Sequence, residues 1–380
     1  MEPNIFQAHR LVLARHRRAL NKAQLAKSAG LTPQMISAYE QDKKAPPSET
    51  LDRLALALDF PVAFFYAGSS DLLPRDAASF RSLARMKVSQ ANAALAAGSI
   101  CMELNHWFEE RFDLPAAALP DLDPGYIDAE GAAAHVRAAW GIGDAPITNV
   151  LHLLESHGVR VFALPTDHRE VDAFSFWDEQ ENTPYILLGV HKTPERAIFD
   201  LAHELGHLVM HRDHAAPRGR DEEKQADQFA STLLMPRGDV HAASPRFPSL
   251  ATLVTLKHRW KVSTAALNYR LHDLGLTSDW HYRSLCIEIS RMGRDRELNS
   301  LPREQSQMLA KVFALLRAEG ISRADIAEAL HLYPADLDAV LNGLVLGSVD
   351  GDGVRTSGVR PNLRVVPSDQ AGPAGIRGDG

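Results

Sequence analysis

The chain has 380 residues, a formal net charge of −7 at pH 7 and two cysteines. That length accommodates two or three domains, Cys101 and Cys286 cannot build a disulfide framework, and the acidic balance excludes a protein that coats nucleic acid by charge alone. No apolar run near 18 residues and no secretory h-region stands out, so the sequence predicts a cytoplasmic protein without a membrane span.

The basic residues are unevenly placed. Between residues 9 and 44, Arg10, Arg15, Arg17, Arg18, Lys22, Lys27, Lys43 and Lys44 face only Glu40 and Asp42, a local charge of +6. Such a segment in an acidic chain is a footprint to test against nucleic acid. Residues 5–66 read as five short helices. Asn21 caps the second, Gly30 ends it in a left-handed turn, Thr32 caps the third, and Pro33 fits its first turn. Ile36 and Tyr39 anchor that third helix, and a helix capped by Ser48 closes the module. Helix, glycine turn, helix is the DNA-binding helix-turn-helix. Leu25-Ala26, Gly30-Leu31, Ile36-Ser37, Tyr39-Glu40 and Pro47 closely resemble the Cro/repressor-like XRE family. The resemblance implies that Gln34 and Ser37 face the major groove of a double-stranded DNA operator. Gln34 is suited to reading adenine by two hydrogen bonds, while Lys43 and Lys44 meet phosphate. Lys22 stands where the family often has Gln, which suggests a phosphate contact. Modules of this kind are expected to work as a homodimer on paired half-sites.

Residues 67–76 read as a polar linker, and an Ala-rich stretch from Phe80 to about Phe112 as a packing or dimerisation helix pair. A Pro/Asp-rich loop spans 115–125. Helices are expected around 128–140 and 147–157. Residues 159–164, 173–177 and 185–188 are short β-branched or aromatic runs divided by turn residues, and predict a small antiparallel sheet. Its edge is a place for an extended peptide to add as a strand.

The next helix, 193–211, carries His203-Glu204-Leu205-Gly206-His207. Thr193 caps it and Pro194 fits its first turn; Ile198, Leu201, Ala202, Leu205, Leu208 and Val209 recur at helical spacing. One turn apart, His203 and His207 share a face and can reach one metal ion, with Glu204 rotated toward the water that such an ion polarises. His211 lies about 12 Å from His203 along the axis and is excluded as a third ligand. The following helix, from Asp221 until Pro236 stops it, offers Glu223 as third ligand. One turn on, Asp227 holds the imidazole of a ligand histidine; Glu222, about 100° from Glu223, is the competitor. The metal is expected to be zinc, although manganese or iron suits such donors too. The oxyanion-stabilising group is open among Tyr185, His211, His214 and Arg212. His168, His191 and His214 read otherwise as solvated loop residues.

The pairing of that motif with Glu223, Ala226, Asp227, Phe229, Ala230 and Leu233–Pro236 resembles the ImmA/IrrE family of bacterial metallo-endopeptidases, over about residues 80–279. The resemblance implies a gluzincin-like metal site and, as substrate, a protein such as a helix-turn-helix repressor. The chain departs from the family at Gly189, where relatives carry Asn.

Residues 250–276 read as two helices, the second capped by Ser263 and stopped by Gly275. Residues 321–345 repeat a helix-turn-helix rhythm without the turn glycine and with acidic residues outward, which points to a partner-binding bundle rather than to DNA. Residues 348–380 have the composition of a disordered tail. The expected fold is thus mainly α. A five-helix DNA-binding domain (1–68) leads through a linker and helical segment (69–115) into an α+β zincin-like peptidase domain (116–244), a helical region (245–347) and the tail. The expected activity is hydrolysis of a peptide bond, with His203, His207 and Glu223 on the metal and Glu204 as base then acid. Two other readings stand beside it. In one the peptidase fold is a non-proteolytic sensor within a repressor or antitoxin-like protein; in the other the site cuts its own linker near 67–76.

Overall fold

Among the described residues, caps and apolar spacing give sixteen α-helices, one 3-10 helix and a three-stranded sheet. The computed structural model describes residues 5–68, 72–74, 87–120, 122, 128–165, 172–189, 191–212, 220–291 and 297–345. The predicted tail, His168, His214, the start of the Ala-rich stretch and part of the 67–76 linker lie outside the described residues.

The N-terminal module contains α1 (Ala8–Arg17), α2 (Lys22–Ala29), α3 (Pro33–Glu40), α4 (Ser48–Leu58) and a 3-10 helix (Val62–Tyr66). Asn21 accepts a hydrogen bond from the Gln24 amide, and the Gln24 side chain closes the capping box. Gly30 ends α2 at φ 65, a left-handed conformation that glycine adopts without strain. Thr32 caps α3 through the Met35 amide. Ser48 is not the cap of α4 but its first residue; Pro47 holds the cap position with no side-chain hydrogen bond. Leu25, Ile36, Tyr39, Leu54 and Phe64 fill this module's core.

Next comes α5 (Val88–Glu109), a single 22-residue helix among the described residues rather than a pair. It is apolar nearly all round because it serves two cores. Ala96 and Ile100 pack into the N-terminal core, while Leu95, Cys101, Leu104 and Phe108 pack into the larger core of the rest of the chain.

After α6 (Ala129–Ala139) and α7 (Val150–Ser156) come β1 (Arg160–Leu164), β2 (Ala173–Asp178) and β3 (Thr183–Gly189). The sheet is mixed, not antiparallel. Its order is β1-β3-β2, with β3 antiparallel to β2 but parallel to β1. The β2–β3 hairpin turns back and inserts β3 against β1, so the strand that follows the hairpin runs parallel to β1. The sequence carries a trace of this. Every residue of β1 and β3 is buried, so neither strand alternates apolar with polar.

Against this sheet lies α8 (Pro194–Met210), capped by Thr193 through the Arg196 amide, and against α8 lies α9 (Arg220–Leu234). The remaining helices are α10 (Arg237–Ala243), α11 (Leu250–Trp260), α12 (Thr264–Asp273), α13 (Asp279–Arg291), α14 (Gln307–Ala318), α15 (Arg323–Ala329) and α16 (Pro334–Leu341). They extend the same core through Leu253, Leu267, Val312 and Leu337. On α11, Lys257 is fully buried and pairs with Glu195 in the first turn of α8 at 3.0 Å and with Glu297 at 3.1 Å. Burial works against the Glu195 carboxylate, but hydrogen bonds from Lys257, Ser300 and the Leu301 amide outweigh it and lower its pKa.

Helices α14–α16 restate the N-terminal motif. Ser322 caps α15 in a capping box with Asp325, as Asn21 does with Gln24. Ile326-Ala327 occupy the place of Leu25-Ala26. His331 takes the left-handed turn position at φ 54 where the first unit has Gly30. Leu332 follows as Leu31 does, and Pro334 opens α16 as Pro33 opens α3. This second unit docks on the first. Leu332 joins the N-terminal core, and Asp336 pairs with Arg18 at 2.6 Å and Arg17 at 3.5 Å.

Candidate metal centre and nucleic-acid face

Helix α8 presents His203 and His207 one turn apart because its other face is committed to the core through Ile198, Leu201, Leu205 and Leu208. Helix α9 brings Glu223 opposite them, its own buried stripe running through Ala226, Phe229, Ala230 and Leu233. The close approach of the two helices depends on Gly206, whose Cα faces the Phe229 ring; a Cβ there would lie 3.0 Å from it.

One donor atom each from His203, His207 and Glu223 lies within 4.8 Å of the others. The two Nε2 atoms are 3.1 Å apart, His207 Nε2 is 3.5 Å from Glu223 Oε1, and His203 Nε2 is 3.7 Å from Glu223 Oε2. A tetrahedral ion with bonds of about 2.0–2.1 Å holds its donors roughly 3.3 Å apart. The three donors therefore fit a single small cation, and they leave a fourth position for water or substrate. Among the described residues this is the group of three that could hold a metal.

Both histidines have a partner at Nδ1. His203 Nδ1 lies 2.9 Å from Asp227 Oδ1, the pairing expected of a histidine that ligates through its other nitrogen. Burial disfavours a charge on His203, but the Asp227 hydrogen bond and the Glu204, Asp227 and Glu223 carboxylates together raise its pKa. His207 is 1% exposed, and its Nδ1 lies 3.0 Å from His211 Nδ1. Glu204 is likewise buried, and its Oε2 accepts a hydrogen bond from Ser175 Oγ at 2.7 Å. Ser175 belongs to β2 and faces α8. It escaped notice in the sequence because only strand pairing brings it to the motif.

Of the residues considered for an oxyanion, Tyr185 is buried in the sheet and stacks on Phe176 at 5.0 Å. Arg212 lies over the Trp177 ring and bonds Glu179 and Asn182. His211 is engaged with His207 and, through Nε2, with Gln225 Oε1 at 2.9 Å. Glu222 is outside the three-residue group, and His191 is exposed.

On the N-terminal module, Gln34, Ser37 and Lys43 line one open groove with Pro33, Ala38 and Gln41. Lys44 is exposed beside Lys43. Lys22 leans across this face, its Nζ 3.2 Å from Ser37 Oγ and 3.1 Å from Glu40 Oε2. The arginines of this segment are turned toward partners within the protein. Arg10, Arg15 and Arg17 are buried; Arg10 bonds Glu103, Arg15 bonds Glu40, and Arg17 and Arg18 meet Asp336. The cations left for a polyanion on this segment are lysines.

Residues 13–65 match the helix-turn-helix family, and residues 154–272 match the IrrE N-terminal-like domain of the M78 peptidases. No curated protein matches the chain. An XRE-type DNA-binding domain and an ImmA/IrrE-like peptidase domain are therefore joined in one chain. Among the described residues no helix is long and apolar enough to cross a membrane.

Proposed function

We propose that the chain is a cytoplasmic transcriptional regulator that carries a zinc-dependent endopeptidase. It binds an operator as a homodimer and cuts a protein substrate, a helix-turn-helix repressor by the resemblance to ImmA/IrrE proteins. The observation that carries this reading is the convergence of His203 Nε2, His207 Nε2 and Glu223 at tetrahedral spacing, with both histidine Nδ1 atoms already occupied. A pure scaffold has no physical need for that arrangement, nor for the buried Glu204 beside it.

His203, His207 and Glu223 would hold the zinc, whose Lewis acidity when bound would polarise the scissile carbonyl and make water a better acid. Glu204 takes the proton of the attacking water on its carboxylate and delivers it to the leaving amine. Ser175 Oγ fixes the orientation of that carboxylate. Asp227 holds the His203 ring. Strand β2 is an edge of the sheet and carries Ser175, so an extended substrate paired along β2 would run past Glu204. At the other end of the chain, Gln34 and Ser37 read bases while Lys43, Lys44 and Lys22 meet phosphate.

Elemental analysis of purified protein tests the metal site. About one zinc per chain is expected in the wild type, with loss in Glu223→Ala. Glu204→Gln should keep zinc and lose cleavage of a co-expressed repressor. Wild type without zinc, even after its addition, would sink the peptidase reading. Gly189, in place of the family's Asn, favours a second reading in which the site only senses. That reading predicts that Glu204→Gln leaves both operator control and every candidate substrate unchanged.

A further inference from the structure

We infer that His211 and Gln225 are positioning residues that fix the tautomer of His207 and so set the affinity of the centre for its metal. This rests on the reading of His207 as a ligand. A neutral imidazole has one N–H and one lone pair, and it can ligate through Nε2 only when its proton is on Nδ1. His207 Nδ1 faces His211 Nδ1 at 3.0 Å, so one of the two must donate and the other accept. The choice is made one step further out. His211 Nε2 lies 2.9 Å from Gln225 Oε1, an acceptor, which places the His211 proton on Nε2. His211 Nδ1 is then a lone pair, His207 Nδ1–H donates to it, and His207 Nε2 directs its lone pair toward His203 and Glu223. Reversing the chain puts the proton on His207 Nε2, where it blocks coordination.

The two ligand histidines are thus oriented by different means. His203 uses the Asp227 carboxylate, which is mostly exposed. His207 and His211 are each 1% exposed, and a neutral relay avoids burying a second charge there. The relay ends on α9, two residues beyond Glu223, so one helix supplies the third ligand and also sets the proton on the second.

Zinc dissociation constants measured by competition with a chromogenic chelator test this, with thermal melting of each zinc-free protein as control for folding. Loss of an outer partner typically weakens metal binding about 10- to 100-fold. We expect a loss in that range for His211→Phe and about 10-fold for Gln225→Met. Gln225→Glu keeps only acceptor oxygens and should bind zinc at least as tightly as wild type. Zinc-free wild type labelled at histidine should show His207 protonated on Nδ1 in two-bond nitrogen–proton spectra, and Gln225→Met should show mixed tautomers. If His211→Phe does not fold, the exposed Gln225 variants carry the test. Gln225→Met within twofold of wild type, or His207 protonated on Nε2 in the zinc-free wild type, overturns the inference. Failure of the wild type to bind zinc instead overturns the metal site itself, and the spectra still report the tautomer.

Discussion

Glu155, on α7, caps a helix far along the chain. Its carboxylate accepts hydrogen bonds from the Gln307 and Met308 amides, both at 3.1 Å, and from the Ser306 hydroxyl, at the start of α14. Those bonds and Arg160 favour the charged form, but burial outweighs them and pushes its carboxyl up to about 7. Because the folded-state pKa is above the unfolded one, the native state binds the extra proton between about pH 4.5 and 7. Stability from this group is therefore complete below the unfolded pKa and declines as pH rises through 7. The full decline is about 3 kcal/mol at roughly 1.4 kcal/mol per unit. Urea midpoints of wild type should fall between pH 5 and 8, and Glu155→Gln should flatten that part of the slope. Equal slopes in the two proteins would show that Glu155 is ionised throughout. Nothing in the sequence around Leu154-Glu155-Ser156 announces this role, since the partners lie about 150 positions away.

At the scale of elements, what the sequence revealed depended on the range of the forces involved. The caps at Asn21, Thr32, Thr193 and Ser263 and the turn at Gly30 are local, and each is where the residues predict it. The meeting of these four side chains was legible for the same reason: His203 and His207 share a turn, and Glu223 and Asp227 share another. The parallel pairing of β1 with β3, Ser175 behind Glu204, and the buried Lys257–Glu195 pair are all non-local, and their residues look ordinary in sequence. Gly206 lies between these cases. It stands inside the motif, but its reason is the Phe229 ring on α9. A methyl at this position would meet the ring at 3.0 and 3.2 Å and the Phe229 Cβ at 3.3 Å. Because the ring is itself fully buried it has little room to yield. Gly206→Ala should push α9 outward, costing about 1–3 kcal/mol of stability. It should also loosen zinc by displacing Glu223. The paired measurements are a denaturant midpoint and a zinc titration. Unchanged zinc affinity in a destabilised variant would mean that α9 moves without carrying Glu223 away.

For the whole molecule, three of the four arginines in the basic N-terminal segment, Arg10, Arg17 and Arg18, join the DNA-binding module to the rest of the chain. Arg10 holds Glu103 on α5, with Gly68 O as a second acceptor, and Arg17 and Arg18 converge on Asp336 in the first turn of α16. In the second helix-turn-helix unit, Asp336 occupies the place that Met35 holds in the first. Here that position takes an arginine pair, so this copy serves as a docking element. The groove of Gln34, Ser37 and Lys43 is left open on the module's surface. Asp336 is 3% exposed, and Arg17 is 4% exposed. Removing one member of a buried ion pair leaves the others uncompensated and typically costs about 3–5 kcal/mol. Asp336→Ala should therefore release the second unit from the first without unfolding the first, whose core is mostly its own. Hydrogen exchange should accelerate in α16 and at the end of α1 while α3 stays protected, and small-angle scattering should show a larger radius of gyration. Asp338→Ala is the contrast. That carboxylate pairs with Arg323 at 3.0 Å on the surface and is 53% exposed, so its loss should cost no more than about 1 kcal/mol. If both variants keep the wild-type exchange pattern, apolar contacts such as Leu332 in the N-terminal core suffice to hold the two units together. If only Asp336→Ala loosens them, the buried cluster is the fastening, and the orientation of the DNA-binding module toward the peptidase is set by one carboxylate.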